Sequence, residues 1–417
     1  MTTKAEGAAV TRTSKPTDTA VVLRSRGLRS MAGTSPRPLE LKSSRSQKLI
    51  EPIFREAGIR INGSEPWDMT IHDARFFDRF VRDGTMGAGE SYMDGWWDCE
   101  RIDELTARVL SSELSDVFAR NWKLRLDHLK KVLLDRQRGR RSMAVAERHY
   151  DLGNEFFARM LGPTMAYSCA YWRDADNLDE AQRNKMDLCC RKLDLKEGDR
   201  LLDVGCGWGS MMKYAAENYG CEVIGITISK QQCEYAERIT KDLPVEVRLL
   251  NYRDARPDDL GTFDKVVSIG MFEHVGKPNY RSFMQFIDRV LAPDGLFLLH
   301  TIGRIADVQD RWIGRYIFPN SYLPELRDLA DAIANIFVLE DVQNIGPHYD
   351  KTTLAWHRNF EQFAKEGLAE ENPRFYRMWR YYLLTGAGSF RLRKKRAAVW
   401  QLVLSKGGVP VGYAAPR

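Results

Sequence analysis

A chain of 417 residues, 43% hydrophobic and 29% charged, can bury a full core and has room for about two domains. It contains no run of eighteen apolar residues, so no ordinary membrane-spanning helix is expected and any bilayer contact would be peripheral. Its seven cysteines form no CxxC pair or regular spacing, and no secretory segment stands at the N-terminus, so neither a disulfide framework nor a metal site is expected and a reducing cytoplasm is the default.

In chain order, residues 1–48 hold ten Lys or Arg against Glu6, Asp18 and Glu40, a charge of +7 that leaves −1 for the rest of the total of +6. With its Ser, Thr, Pro and Gly content, the stretch 1–46 reads as a disordered basic tail, solvated or drawn to an anionic surface. Next, "QKLIEPIFREAGIRI" sets Leu49, Ile50, Ile53 and Phe54 at helical spacing, and "NGSEPWD" and "FFDRFV" follow as a turn and an apolar run. These open a small mixed domain over 47–140 that ends in a linker helix. There Trp122, Leu126, Leu129 and Leu133 share one stripe opposite Lys123, Lys130, Lys131, Arg138, Arg140 and Arg141, which reads as a core stripe with a solvated face or as an interfacial helix.

From residue 200 the pattern alternates. "RLLDVG", "CEVIGIT", "VEVRLL", "DKVVSIG" and "LFLLHTI" read as strands, and "SMMKYAAENY", "SKQQCEYAERIT" and "RSFMQFIDRVL" as the helices between them. That order predicts an α/β fold with a doubly wound parallel sheet in the domain 141–417.

Between the first strand and helix, "LLDVGCGWGS" places Gly205, Gly207 and Gly209 in a GxGxG spacing rather than the GxGxxG of dinucleotide folds. Glycines let backbone approach a ligand closely, and the following helix start offers free N–H groups to an anion. Asp203 disfavours a pyrophosphate and suits a zwitterion whose ammonium it binds, as in the methionyl end of S-adenosylmethionine; NAD and a plain tight turn are the alternatives. "GITISKQQ" ends the second strand without the usual acidic ribose ligand, leaving Thr227, Ser229, Gln231 and Gln232. Asn251 and Tyr252 of "NYRDA" are placed for the adenine, or form an ordinary polar turn.

The chain resembles the cyclopropane-fatty-acyl-phospholipid synthases, class I S-adenosylmethionine-dependent methyltransferases, over residues 50 to 407. The resemblance rests on "INGSEPWD", "GESYMDGWWDC", "HYDLGNEFF", "YSCAYW", "LLDVGCGWGS", "ITISKQQ", "SIGMFEHVG", "LLHTIG", "YIFPNSYLPEL" and "GPHYDKTTLAWHRNFE", in the family's order. It implies a class I methyltransferase fold for 141–417 and methylene transfer to the cis double bond of a phospholipid acyl chain. It places Tyr167 and Ser168 at the cofactor. It assigns Cys169, Glu273, His300, the Ile302 backbone and Tyr349 to a cage for bicarbonate. Taken alone, Cys169 is a small buried hydrophobe and His300 a core histidine. Two departures stand out: Gly386 replaces a frequent cysteine in "GAGSFR", and Asn251 replaces the aspartate of "DYRD".

A cis alkene is a weak π nucleophile with no proton to remove before attack, so no Ser/His or Cys/His pair is needed. Positive charge left on the acyl chain suits aromatic faces, with Tyr150, Phe156, Phe157, Tyr171, Trp172, Phe272, Tyr316 and Phe318 available. Ring closure then needs a base of modest strength, which bicarbonate supplies. The resemblance further implies a homodimer docked peripherally on the inner face of the cell membrane, with "RLRKKR" at 391–396 either facing phosphates or solvated. A nucleic acid partner is not expected, because the basic excess sits in the tail. A methyltransferase leaving a methyl branch, and a silent membrane-binding protein of the same fold, are the alternatives.

Overall fold

Five β-branched runs of the C-terminal half become parallel strands; the central ones are buried on both faces and read as continuous apolar stretches, while the edge strand Val245–Leu249 is only partly covered. They are β3 (Arg200–Val204), β4 (Glu222–Thr227), β5 (Val245–Leu249), β6 (Phe263–Ile269) and β7 (Leu291–Arg304). The fold is that of a computed structural model, which describes residues 45–112, 153–304, 310–391 and 397–417. Two further strands, β8 (Val338–Asn344) and β9 (Ala397–Ser405), complete a seven-stranded sheet of order β5-β4-β3-β6-β7-β9-β8. The five expected strands pair in parallel as the doubly wound sheet requires, and β9 adds an antiparallel strand between β7 and β8.

Helices cover both faces. On one, α6 (Leu178–Lys192) and α7 (Ser210–Tyr219) bury Met186, Cys189, Met211, Met212 and Ala215 against Leu201 and Val223. On the other, α9 (Tyr280–Val290) and α11 (Leu326–Ile333) bury Phe283, Ile287 and Leu329 against Val266 and Phe297. Between α7 and α9 in sequence lies α8 (Lys230–Thr240), whose N-cap Ser229 accepts from the Gln232 amide. Asn177 caps α6 by accepting from Glu180 N at 3.0 Å, and acids in its first turn with Arg191 and Lys192 in its last suit the helix dipole.

Ahead of the sheet, α1 (Arg45–Glu56), β1 (Thr70–Ile71), α2 (Arg75–Asp83), α3 (Thr85–Met93), β2 (Trp97–Asp98) and α4 (Ile102–Ser111) enclose a core of Ile50, Phe54, Phe76, Phe77, Phe80, Tyr92 and Trp97. The stripe expected on α1 is narrower than its spacing implied. Ile50 and Phe54, four residues apart, face inward, while Leu49 is 59% exposed.

This core is closed from the far end of the chain by Leu384 of α13 (Pro373–Arg391). At the end of α13, Arg391 pairs with Asp103 at 2.7 Å, Glu104 at 3.0 Å and Asp350 at 2.9 Å. Against the upward push of burial, Arg101 and Arg391 hold the fully buried Asp103 carboxyl down to about 2. Arg391 is thus committed inward instead of facing phosphates, a correction to the first residue of "RLRKKR"; residues 392–396 lie outside the described residues. So do the basic tail, the linker stripe from Trp122 to Leu133 with its basic face, the 140/141 boundary and Tyr150. All seven cysteines are buried free thiols, and no described helix is long and apolar enough to cross a membrane.

Candidate active site

At the C-terminal end of β3 the chain turns through Gly205 at φ +86° before α7 begins at Ser210. A side chain at Gly205 would meet Met271 Cγ at 2.5 Å, so only glycine fits this turn. Trp208 Nε1 donates to Asn154 Oδ1 at 2.9 Å and Ser210 Oγ to the Thr164 carbonyl at 2.5 Å, tying the loop to α5 (Asn154–Leu161) and the segment after it.

The loop floors a cleft of about 1370 Å³, open mouth included, at the carboxyl ends of the strands. Of the ten residues assigned to the cofactor, Tyr167, Ser168, Asp203, Gly205, Gly207, Thr227, Gln232, Asn251 and Tyr252 line it. Gly209 does not. Its Cβ position lies 2.9 Å from Ala236 Cβ, so it lets α7 approach α8 and touches no ligand space. At the end of β4, Thr227 Oγ1 donates to Gln232 Oε1 at 3.0 Å, and Asn251 Oδ1 accepts from Arg253 N at 3.1 Å. Ser229 serves as a helix cap, and Gln231 is absent from the lining.

Asp203 is 2% exposed, faces the cleft, and its carboxylate has no hydrogen-bond partner among the described residues. Burial pushes its pKa up to about 7, with the Lys185 charge pulling the other way. A ligand bearing an ammonium would supply the missing partner, and the free amides at the start of α7 suit a carboxylate. The residues present therefore fit S-adenosylmethionine.

The segment 165–172 forms one wall. Tyr167 packs among Phe157, Trp356 and Phe318 at ring distances of 5.6, 5.2 and 6.1 Å, and its hydroxyl lies 3.2 Å from that of Tyr382. Further along, Ala170 N and Trp172 Nε1 both donate to Thr352 Oγ1, at 3.2 and 2.9 Å, and Trp172 N donates to His348 Nδ1 at 3.1 Å. Tyr167 on one side of Cys169 and Tyr171 and Trp172 on the other thus anchor the segment on α12 (Pro347–Phe363).

The five residues assigned to the anion cage lie behind this wall; none lines the cleft. Cys169 points its thiol toward the Ile345 carbonyl at 3.7 Å, and Ile345 N donates to the carbonyl of Val399, the β9 partner of Ile302. Cys169 and Tyr349 share one buried cluster against which Ile302 packs. Glu273 Oε1 accepts from Ile302 N at 2.7 Å, while its Oε2 is buried with no partner among the described residues. Burial lifts the Glu273 carboxyl to about 7, against the lowering effect of the Ile302 amide. His300, two residues earlier on β7, is 1% exposed and held neutral by burial, its pKa lowered to about 3. Burial also raises the Cys169 thiol well above the ordinary range, so it is no thiolate nucleophile at neutral pH.

Sequence reasoning missed Lys185, Arg253, Met271, His274 and Asn320, all of which line the cleft. The signal for Lys185 was there: Gln182 and Lys185 interrupt the buried face of α6 at i, i+3. Conversely, Phe272 stacks on Tyr280 at 4.1 Å in the core, Tyr316 donates its hydroxyl to Glu90, and Tyr171 packs on His348, so these three do not face the cleft.

The family model for mycolic acid cyclopropane synthetase matches residues 137–402. The cyclopropane-fatty-acyl-phospholipid synthase of Escherichia coli (strain K12) is 44% identical over 362 residues, 86% of this chain and 93% of that protein. The solved structure of the cyclopropane synthase MmaA2 from Mycobacterium tuberculosis is 31% identical with a TM-score of 0.59, covering 63% of this chain and 98% of that one. Mycolic acid cyclopropane synthase CmaA1, complexed with SAH and CTAB, is 34% identical at the same TM-score and the same coverage.

Proposed function

Because the chain belongs to the mycolic acid cyclopropane synthetase family and is an S-adenosylmethionine-dependent methyltransferase, we propose that it converts the cis double bond of unsaturated phospholipid acyl chains into a cyclopropane ring. The bound cofactor supplies an electrophilic methyl group on a sulfonium. Asp203 holds its ammonium, the loop amides and Ser168 its carboxylate, and Asn251 and Tyr252 its adenine. When the alkene π pair takes the methyl, the methyl–sulfur bond breaks with its electron pair left on sulfur, S-adenosylhomocysteine is the leaving group, and a cation remains on the acyl chain. Loss of one proton from that methyl then releases the pair that closes the ring.

The observation that carries this reading is the buried Glu273 carboxylate, one oxygen held by the Ile302 amide and the other without a partner among the described residues. An acid left so in a core is costly unless it meets a ligand. Cys169, Glu273, His300 and Tyr349, with the Ile302 backbone whose N–H holds Glu273, would hold a bicarbonate ion, which would supply a base of modest strength. Gln401 Nε2 lies 3.4 Å from His300 Nδ1; with that amide donating, the neutral ring would carry its proton on Nε2 and offer it to the anion. Glu273, with a pKa of about 7, can present either a proton or a lone pair to a neighbouring anion at neutral pH.

Tyr167 and Phe318 on the cleft wall, continued inward by Tyr382, Trp379 and Phe156, offer aromatic faces to an acyl chain and to charge developing on it. They stabilise a cation without trapping it as a lone-pair donor would. A substrate fixed in a bilayer implies docking at the membrane surface, and a homodimer would gain from double attachment. Lipids extracted from a host expressing the chain, analysed by mass spectrometry and proton NMR, test the assignment. Cyclopropane acyl chains on phospholipids support it; a methyl branch, or no new lipid, overturns it.

A further inference from the structure

Lys185 lines the cleft and yet is 2% exposed. Burying an ammonium is expensive, and an apolar side chain of similar length would pack the same space at lower cost. Its partner shows what it does. Lys185 Nζ donates to Ser168 Oγ at 3.2 Å, while one turn earlier on α6 Gln182 Nε2 donates to the carbonyls of Ala166 and Ser168 at 3.2 and 3.0 Å. The two side chains grip the same segment, one by backbone and one by hydroxyl.

A serine hydroxyl has one proton to donate and two lone pairs to accept with, whereas an ammonium can only donate. Lys185 therefore fixes Ser168 as an acceptor on its buried side. The Ser168 hydroxyl has no acceptor of its own among the described residues, and the residue borders the cleft. Its proton is free to point into the cleft. Asp203, on the neighbouring strand end and within the field of Lys185, faces the same space.

We propose that Lys185 is a positioning residue for the anionic end of the cofactor: it holds the Ser168 hydroxyl as a donor to the methionyl carboxylate. The inference rests on the cofactor reading above and adds a residue that touches the ligand only through Ser168.

The test is calorimetry on the full-length chain with two probes, S-adenosylhomocysteine and 5′-methylthioadenosine, which keeps the nucleoside and thioether and lacks the amino-acid end. Lys185→Met should weaken S-adenosylhomocysteine about ten-fold or more, as for a lost charge-assisted hydrogen bond, and leave 5′-methylthioadenosine within about two-fold. Ser168→Ala should give the same split, and the double variant should be no weaker than either single one. Ser168→Ala also carries the test alone if Lys185→Met does not fold. Equal loss of both probes would make Lys185 a packing residue, and unchanged affinity for both would remove its role; either overturns the proposal. A wild type that binds neither probe would instead sink the cofactor reading.

Discussion

Glu273 Oε1 accepts the Ile302 amide proton at 2.7 Å, and the second oxygen of this buried carboxylate has no partner among the described residues. The arrangement costs stability. Burial raises the folded-state pKa to about 7 from an ordinary value of 4.5, so the folded chain binds this proton more tightly than the unfolded one. The stabilising contribution is complete below pH ~4.5 and is lost as pH rises to ~7, by about 3 kcal/mol in all. Glu273→Gln keeps the carbonyl acceptor and removes the titration. In urea unfolding without ligands, the variant should match wild type near pH 4.5 and exceed it by about 3 kcal/mol at pH 8. A difference that does not change with pH would contradict this reading.

Asp203 and Gly207 should govern cofactor affinity. A Cβ at Gly207 meets nothing within 4 Å, so Gly207→Asp has room for its carboxylate in the cleft, where it repels the methionyl carboxylate. Calorimetry with S-adenosylhomocysteine should show no heat for Gly207→Asp and a loss of about ten-fold or more for Asp203→Asn. Wild-type affinity in either folded variant would count against the placement.

The strands legible in the sequence were the parallel ones alternating with helices, where β-branched runs and the glycine turn leave few alternatives, the half-covered edge strand β5 included. β3 to β6 and α7 to α9 lie within a residue or two of their expected bounds, while β7 begins five residues earlier than "LFLLHTI". β8 and β9 escaped. β8, "VLEDVQN", is an edge strand with polar alternation, and β9 finds its place by inserting between β8 and β7, the latter about a hundred residues earlier. Sequence distance also hid the inward role of Arg391, whose partners Asp103 and Glu104 lie 288 and 287 residues earlier. Within the site, residue types at motif spacing pointed to most of the cleft lining. That Gly209 serves helix packing, and that Lys185 reaches Ser168, depend on how α6, α7 and α8 pack, which no local pattern encodes.

Cys169 should behave as an inert thiol. It is 1% exposed and its pKa is raised by burial, so little thiolate exists at neutral pH. Iodoacetamide at pH 7.5 followed by peptide mass mapping should leave Cys169 unmodified in the folded chain and alkylate it after denaturation. Rapid labelling in the folded state would point to an exposed, activated sulfur.

The proposed homodimer is tested in solution. Light scattering at micromolar concentration is expected to give twice the chain mass of 48.0 kDa. A monomer with full activity on vesicles would remove double attachment from the account.

Bicarbonate dependence tests the central claim most directly. Purified wild type and Glu273→Gln are assayed on phospholipid vesicles with S-adenosylmethionine, carbonate-depleted and then resupplied with bicarbonate, with products read by lipid mass spectrometry. Wild type should lose cyclopropane formation on depletion and regain it on addition. Glu273→Gln should be slower by orders of magnitude, respond weakly to bicarbonate and keep its affinity for S-adenosylhomocysteine, since Glu273 does not line the cofactor cleft. A wild type indifferent to bicarbonate, or a Gln variant with normal rate and product, would contradict the account and return Cys169, His300 and Tyr349 to the packing of the core.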